Sequence, residues 1–151
     1  MAAVTFAAVR QRVATQIATL SGWTLSPMPW IVFGNPAAKG PARQHAHLAF
    51  AVGVPTSKHV GIRARASEGA IVATDVSVRF SARFEGLDAI DAEDACLAAE
   101  LALIQAVMAQ TASWPTDLKV RWDGSSRALT PTGEHWLSEI KFTVTHLLAL
   151  A

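Results

Sequence analysis

From Val76 to Phe84 the chain alternates without a break: Val76, Val78, Phe80, Ala82 and Phe84 fall on one phase, Ser77, Arg79, Ser81 and Arg83 on the other. An unbroken period of two belongs to a β-strand with one apolar and one polar face. The strand is read as Thr74 to Phe84 and is broken by Glu85-Gly86. Its apolar face must be covered, which commits the chain to a layered fold and makes the remaining segments candidates for the cover.

Two segments have helical spacing. Thr5 is placed to cap a helix whose apolar stripe is Phe6, Val9, Val13, Ile17 and Leu20, with Gln11, Arg12, Thr15 and Gln16 away from it and Ser21-Gly22 as its end. A second helix starts near Asp88 or Asp91, where Asp91, Glu93 and Asp94 complement the positive end of the helix dipole. Its expected core stripe is Leu97, Leu101, Ile104 and Met108, widened by Leu103 and Val107, and Trp114-Pro115 is its expected stop. The four acids at its start resemble paired carboxylates for acid–base work, but capping explains them without it.

Further alternating segments supply the rest of a sheet. His47 to Val54 carries Leu48, Phe50, Val52 and Val54 on one phase. Leu118, Val120 and Trp122 alternate with Lys119 and Arg121, Asp123-Gly124 reads as a turn, and Arg127 to Thr130 as a short strand. Ile140, Phe142 and Val144 mark the last strand. Between Ser26 and Ala46 the prolines and glycines deny any long element, with Trp30-Ile31-Val32-Phe33 as a short edge strand or a segment tucked under the core. Pro55 to Gly69 lacks sustained alternation and reads as a loop or flexible hairpin arm. The expected fold is a single α+β domain over 1–151, a mostly antiparallel four- to five-stranded sheet with two helices packed on one face.

With 151 residues, 51% of them apolar, the chain is long enough for one substantial core. No apolar run approaches the ~20 residues of a membrane-spanning helix, and the start lacks the pattern of a signal peptide, so a cytoplasmic protein is expected. The single cysteine, Cys96, excludes an internal disulfide and is expected as a small buried hydrophobe. Charge is lopsided: seven Lys or Arg and no acid from Met1 to Ser67, then twelve acids against six bases. Such separation suits a partner of opposite charge, another copy of the chain included, although chance clustering gives the same count.

Signatures of catalysis are missing: there is no Gly-x-Gly-x-x-Gly after a strand, no phosphate loop and no Gly-x-Ser-x-Gly elbow. His45 and His47, two apart on a strand, have a spacing that could hold a metal if His59, His135 or an acid completed the set; a surface pair is the simpler reading, and no metal or cofactor is expected. Arg79, Arg83, Lys119, Arg121 and Lys141 fall on the polar sheet phase, with Lys58, Arg63 and Arg65 on the arm. A nucleic-acid surface is conceivable there. However, Phe80, Phe84, Trp122 and Phe142 fall on the apolar phase, so bases would have no stacking platform, and Glu85, Asp117 and Glu139 dilute the charge. A solvated or subunit-facing surface fits better. Trp23, Trp30 and Trp136 are not placed by the periodicity; interface and local packing both remain open for Trp23 and Trp30.

In order and texture the chain resembles the tail terminators of long-tailed, siphophage-like bacteriophages. The resemblance runs from the N-terminal helix through the Pro-rich crossing to His47-Leu48-Ala49-Phe50-Ala51-Val52 and the basic arm at Arg63-Ala64-Arg65. It continues through Val76-Ser77-Val78-Arg79-Phe80, Asp91-Ala92-Glu93-Asp94 and Ile140-Lys141-Phe142-Thr143-Val144. It implies a non-enzymatic virion protein at the tail–neck junction, assembled in the host bacterial cytoplasm. It further implies a hexameric ring that caps the tail-tube protein, stops tube growth and joins the head-completion or stopper protein, with DNA passing through the lumen without sequence-specific binding. Lys58, Arg63 and Arg65 would then be partner contacts. Competing readings are another phage neck or tail component, a small nucleic-acid-binding module, and a small enzyme or ligand-binding domain, for which His146 is the only titratable residue on the apolar phase of the last strand.

Overall fold

A computed structural model describes residues 3–26, 47–62, 69–109, 118–129 and 135–148. Helix α1 (Phe6–Ala18) is followed by a short strand β1 (Thr24–Leu25) and by β2 (Ala49–Ile62) and β3 (Ala70–Ala82). Helix α2 (Ala89–Met108), β4 (Lys119–Leu129) and β5 (Trp136–Leu148) complete the order. Among the described residues the strands form one five-stranded sheet in the order β1-β2-β3-β5-β4. Every pairing is antiparallel except that of β1 with β2, and both helices pack on one face, as the alternation required. Ala3 adds a parallel bridge to Leu147, tied by the Val4 N–H to the Leu147 carbonyl at 2.8 Å.

The caps form as the sequence prescribes. Thr5 Oγ1 accepts the Ala8 N–H at 3.1 Å, and Asp88 Oδ1 accepts the Asp91 N–H at 2.9 Å, which satisfies donors that a bare helix start would leave open. Helix α1 ends at Ala18 and turns through Gly22, whose φ of 86° is left-handed. Val9, Val13 and Ile17 face Phe50, Val52, Val76, Val78, Phe80, Ile140, Phe142 and Val144, which make the core. Trp23 joins them edge-on, 5.0 Å from the Phe80 ring and 6.3 Å from Phe50, so its role is packing. Gln16, expected on the outer side of α1, is buried; its Nε2 donates to the Ala109 carbonyl at 3.2 Å, where α2 ends.

Four expectations are corrected. Pro55 to Ile62 is not loop but the second half of β2, paired with β3 through Ile62↔Ala70. Its alternation is hidden because a register shift between Gly53 and Thr56 displaces the phase and the segment is polar or exposed on both sides. Asp123-Gly124 is not a turn: β4 runs unbroken from Lys119 to Leu129, and Gly124, at φ 143°, absorbs a bulge against β5. No second strand therefore begins at Arg127; Thr130 lies outside the described residues. The clearest strand ends at Ala82, so Arg83 lies beyond it, its N–H donated to His47 Nδ1 at 3.1 Å and its guanidinium paired with Glu85.

The fourth correction concerns α2. Cys96, Glu100, Leu103 and Val107 face the sheet, while Leu101 and Met108 are exposed and Leu97 and Ile104 half-buried. The helix is apolar on more than one side: Leu103 and Val107 are buried, Ile104 packs against the edge of the core, and Ile90, Leu101 and Met108 are exposed. The expected strand Trp30 to Phe33, the stop at Trp114-Pro115, and Asp117, His45, Arg63 and Arg65 all lie outside the described residues.

Candidate interaction surfaces

The sheet face turned away from the helices carries Arg79, Lys119, Arg121 and Lys141, which alternation and register bring together across β3, β4 and β5. Lys58 joins them on β2, since its register partner is Ala73, two residues along from Asp75 on the same phase. Arg83 is not part of this plane. Asp75, and Asp123, which the Asp-Gly pair suggested to be in a turn, are two acids on the same face that neutralise much of it.

These charges interlock. Arg79 Nε lies 3.1 Å from Glu139 Oε2, and Lys141 Nζ 3.9 Å from Glu139 Oε1. Arg121 Nε donates to Asp123 Oδ1 at 2.6 Å, and the Thr143 hydroxyl donates to Asp123 while accepting from Arg121 Nη2 at 3.4 Å. Thr56 Oγ1 donates to Asp75 Oδ2 at 2.5 Å. Burial works against the Asp123 carboxylate, yet the hydrogen bonds from Thr143 and Arg121 and the Arg121 charge hold its pKa below the usual carboxylate value. Beside the pairs lies a depression of about 470 Å3 whose lining includes Ala51, Gly53, Val54, Pro55 and Ser77. The face is a fixed pattern of both signs around a small-residue floor, unlike the uniformly basic groove that tracks a nucleic-acid backbone.

The opposite side of the molecule differs in kind. Along the outside of α2 run Ile90, Leu97, Leu101, Ile104 and Met108, at steps of seven, four, three and four residues, which place them on one line of the helix. Ile90 is 72% exposed, Leu101 54% and Met108 40%. Asp91, Glu93 and Asp94 flank the start of this stripe, and α2 contains no Lys or Arg. Leu97 and Ile104 between them are half-buried, and exposed apolar residues aligned on one side of a helix mark a contact surface more often than scattered ones do.

Inside, two polar constructions join the helices to the sheet. Glu100 reaches from α2 to β4 and β5: Arg127 Nε and Nη2 each lie 2.6 Å from its Oε2, and Ser138 Oγ donates to Oε1 at 2.8 Å. At the far end of the sheet His146 is fully buried beneath Phe6, its Nε2 2.8 Å from Thr74 Oγ1, which lies 2.9 Å from the Ser57 hydroxyl. Its Nδ1 faces the Leu147 carbonyl at 3.3 Å. One proton arrangement satisfies the chain: Ser57 donates to Thr74, Thr74 to Nε2, and Nδ1–H to the carbonyl. The relay ties β2, β3 and β5 together, running from the exposed Ser57 to the buried ring of His146.

Burial lowers the pKa of His146 from its ordinary 6.5, against the opposing pull of the Leu147 and Val4 backbone. In the unfolded chain the ring takes up its proton near 6.5, in the folded chain only at lower pH. Between these values the unfolded state binds more protons, so stability is expected to fall as pH drops below about 6.5 and to be fully present above it. Urea midpoints at about pH 7.5 and pH 5 should differ less in His146→Asn than in the unaltered chain; an identical pH dependence in both would remove His146 from the account.

Cys96 is buried, and burial first, then the Glu93 charge, push its thiol up to about 11, which leaves it un-ionised and inert at neutral pH. Among the described residues no three His, Cys, Asp or Glu side chains gather as a metal site. His47 is instead engaged with the Arg83 N–H and stacks edge-on with Phe84 at 4.8 Å. Among the described residues no helix is long and apolar enough to cross a membrane.

The fold and surfaces define the class of the molecule: a mixed, mostly antiparallel five-stranded sheet with two helices on one face and two unlike outer surfaces. Compared with known protein families and with curated proteins, the sequence matches none significantly.

Proposed function

We propose that this chain is a structural, non-catalytic virion protein: a tail terminator that forms a ring on the tail tube of a long-tailed bacteriophage, ends its growth and offers the surface that the head-completion protein joins. The observation that carries the reading is the open sheet face, where Glu139 pairs with Arg79 and Lys141, and Asp123 with Arg121 and Thr143, beside a depression of about 470 Å3. A surface patterned in both signs selects a complementary protein surface. The order and texture of the sequence support the phage assignment. Lys58, the partner contact that falls within the described residues, stands on the same face. DNA would pass through the ring without base readout, since Phe80 and Phe142 are buried on the other side of the sheet, and Trp122, which is 47% exposed rather than buried as its phase suggests, pairs in register with Phe142 and does not share the phase of the open face.

The test is assembly in the presence of purified tail-tube protein. Added to growing tubes, the chain is expected to shorten their mean length in proportion to its amount and to appear in electron micrographs as a density at one end. Tubes that grow to the same lengths with bare ends would contradict the proposal. Retention of DNA at low salt, lost steeply as salt rises, would favour the nucleic-acid module instead.

A further inference from the structure

We infer that the ring is closed by a head-to-tail contact in which the outer stripe of α2 of one copy lies on the open sheet face of the next. This deepens the ring reading and rests on it. Among the described residues the sheet is covered by helices on one side only, so a helix from a neighbour would complete a third layer. Helix α2, with 20 residues, is about 30 Å long, and Ile90, Leu101 and Met108 present its apolar line to solvent. A depression on the open face, lined by Ala51, Gly53 and Ser77 with the charged Asp75, Arg79, Asp123, Glu139 and Lys141 around them, gives bulky side chains room.

Charge selects this partner surface over the alternative. If α2 packed on α2 of a second copy, the acids Asp91, Glu93 and Asp94 would meet a helix with no base and, in the antiparallel arrangement, its negative C-terminal end. The open sheet face instead carries Lys58, Arg79, Lys119, Arg121 and Lys141 against the three acids Asp75, Asp123 and Glu139, a surplus of positive charge, and Lys58, Lys119 and Lys141 are exposed. Joining two different patches makes the contact heterologous, and such contacts close into rings or run on as filaments and do not stop at two copies.

Two variants test this, each altered only at exposed positions so that the fold is preserved, as far-UV circular dichroism would check. Leu101→Lys spoils the helix stripe and leaves the sheet face intact. The triple variant Lys58→Glu, Lys119→Glu, Lys141→Glu spoils the sheet face and leaves the helix intact. Each alone is expected to assemble at least about tenfold more weakly than the unaltered chain, in solution and on tube ends. Mixed in equal amounts they should form a two-chain species that grows no further, because only one good helix and one good sheet face can meet. If the triple variant pairs with itself, α2 packs on α2 and the inference falls while the ring stands. If Leu101→Lys assembles as well as the unaltered chain, the inference again falls alone. If the unaltered chain neither assembles nor binds tubes, the ring reading falls with it.

Discussion

Phe80→Ala is expected to lower the stability of the fold by about 3–5 kcal/mol, the usual cost of emptying an aromatic site in a packed core. Phe80 is fully buried on β3, the middle strand of the five. Its neighbours in register are Phe50 on β2 and Ser138 on β5, and the Trp23 ring stands edge-on at 5.0 Å. Truncation removes contacts on every side at once, and strands paired on both edges of β3 cannot collapse onto the void without breaking register. Since a domain holds only about 5–15 kcal/mol in total, the variant should unfold at a much lower urea midpoint with an unchanged slope. Leu129→Ala, at an exposed position on the edge strand β4, should change stability by less than about 0.5 kcal/mol. A loss at Phe80 as small as that at Leu129 would mean that β3 is not the centre of the sheet.

The second large effect concerns a charge. The Glu100 side chain is 4% exposed and its partner Arg127 40%, so the carboxylate is taken out of water while the guanidinium is not. Arg127→Met leaves the carboxylate with Ser138 alone and is expected to destabilise by about 3 kcal/mol, the lower end of the range for breaking a buried pair, because Arg127 was partly solvated. Glu100→Met combined with Arg127→Met should recover most of that loss, since no buried charge then remains unpaired. Urea titration of the two single variants and the double variant gives the coupling directly. Strict additivity would mean that Glu100 reaches water by another route and that the pair does not tie α2 to the sheet.

Elements with a single apolar face were legible in the sequence. The alternation from Val76 to Ala82 locates β3 and its covered side, Ile140, Phe142 and Val144 do the same for β5, and Thr5 and Asp88 mark helix starts because nearby N–H groups need an acceptor. Misreadings arise where one local signal serves two structures. Asp-Gly suits a hairpin turn and a bulge equally, because both require a residue at positive φ; the unbroken partner strand β5 decides for the bulge. In α2 the expected stripe of Leu97, Leu101, Ile104 and Met108, widened by Leu103 and Val107, holds for Leu103, Val107 and the buried Cys96 but not for the exposed Leu101 and Met108, and the sheet also receives the polar Glu100, whose burial depends on an Arg twenty-seven residues away. The candidate surface was legible for the bases but not for its neutrality. Asp75 joins the plane by strand register with Thr143, and Asp123 by a bulge, relations that no spacing along the chain reveals.

The function proposed above has this chain work as a ring of identical subunits at the end of a tube. Its mass in solution, followed from low to high protein concentration and again after purified tail-tube protein is added, tests that most directly. The account predicts a species of six times the 16.0 kDa chain, formed either by the protein alone or on contact with tubes. A particle that stays at the mass of one chain under every condition, with tube ends left bare, would contradict it.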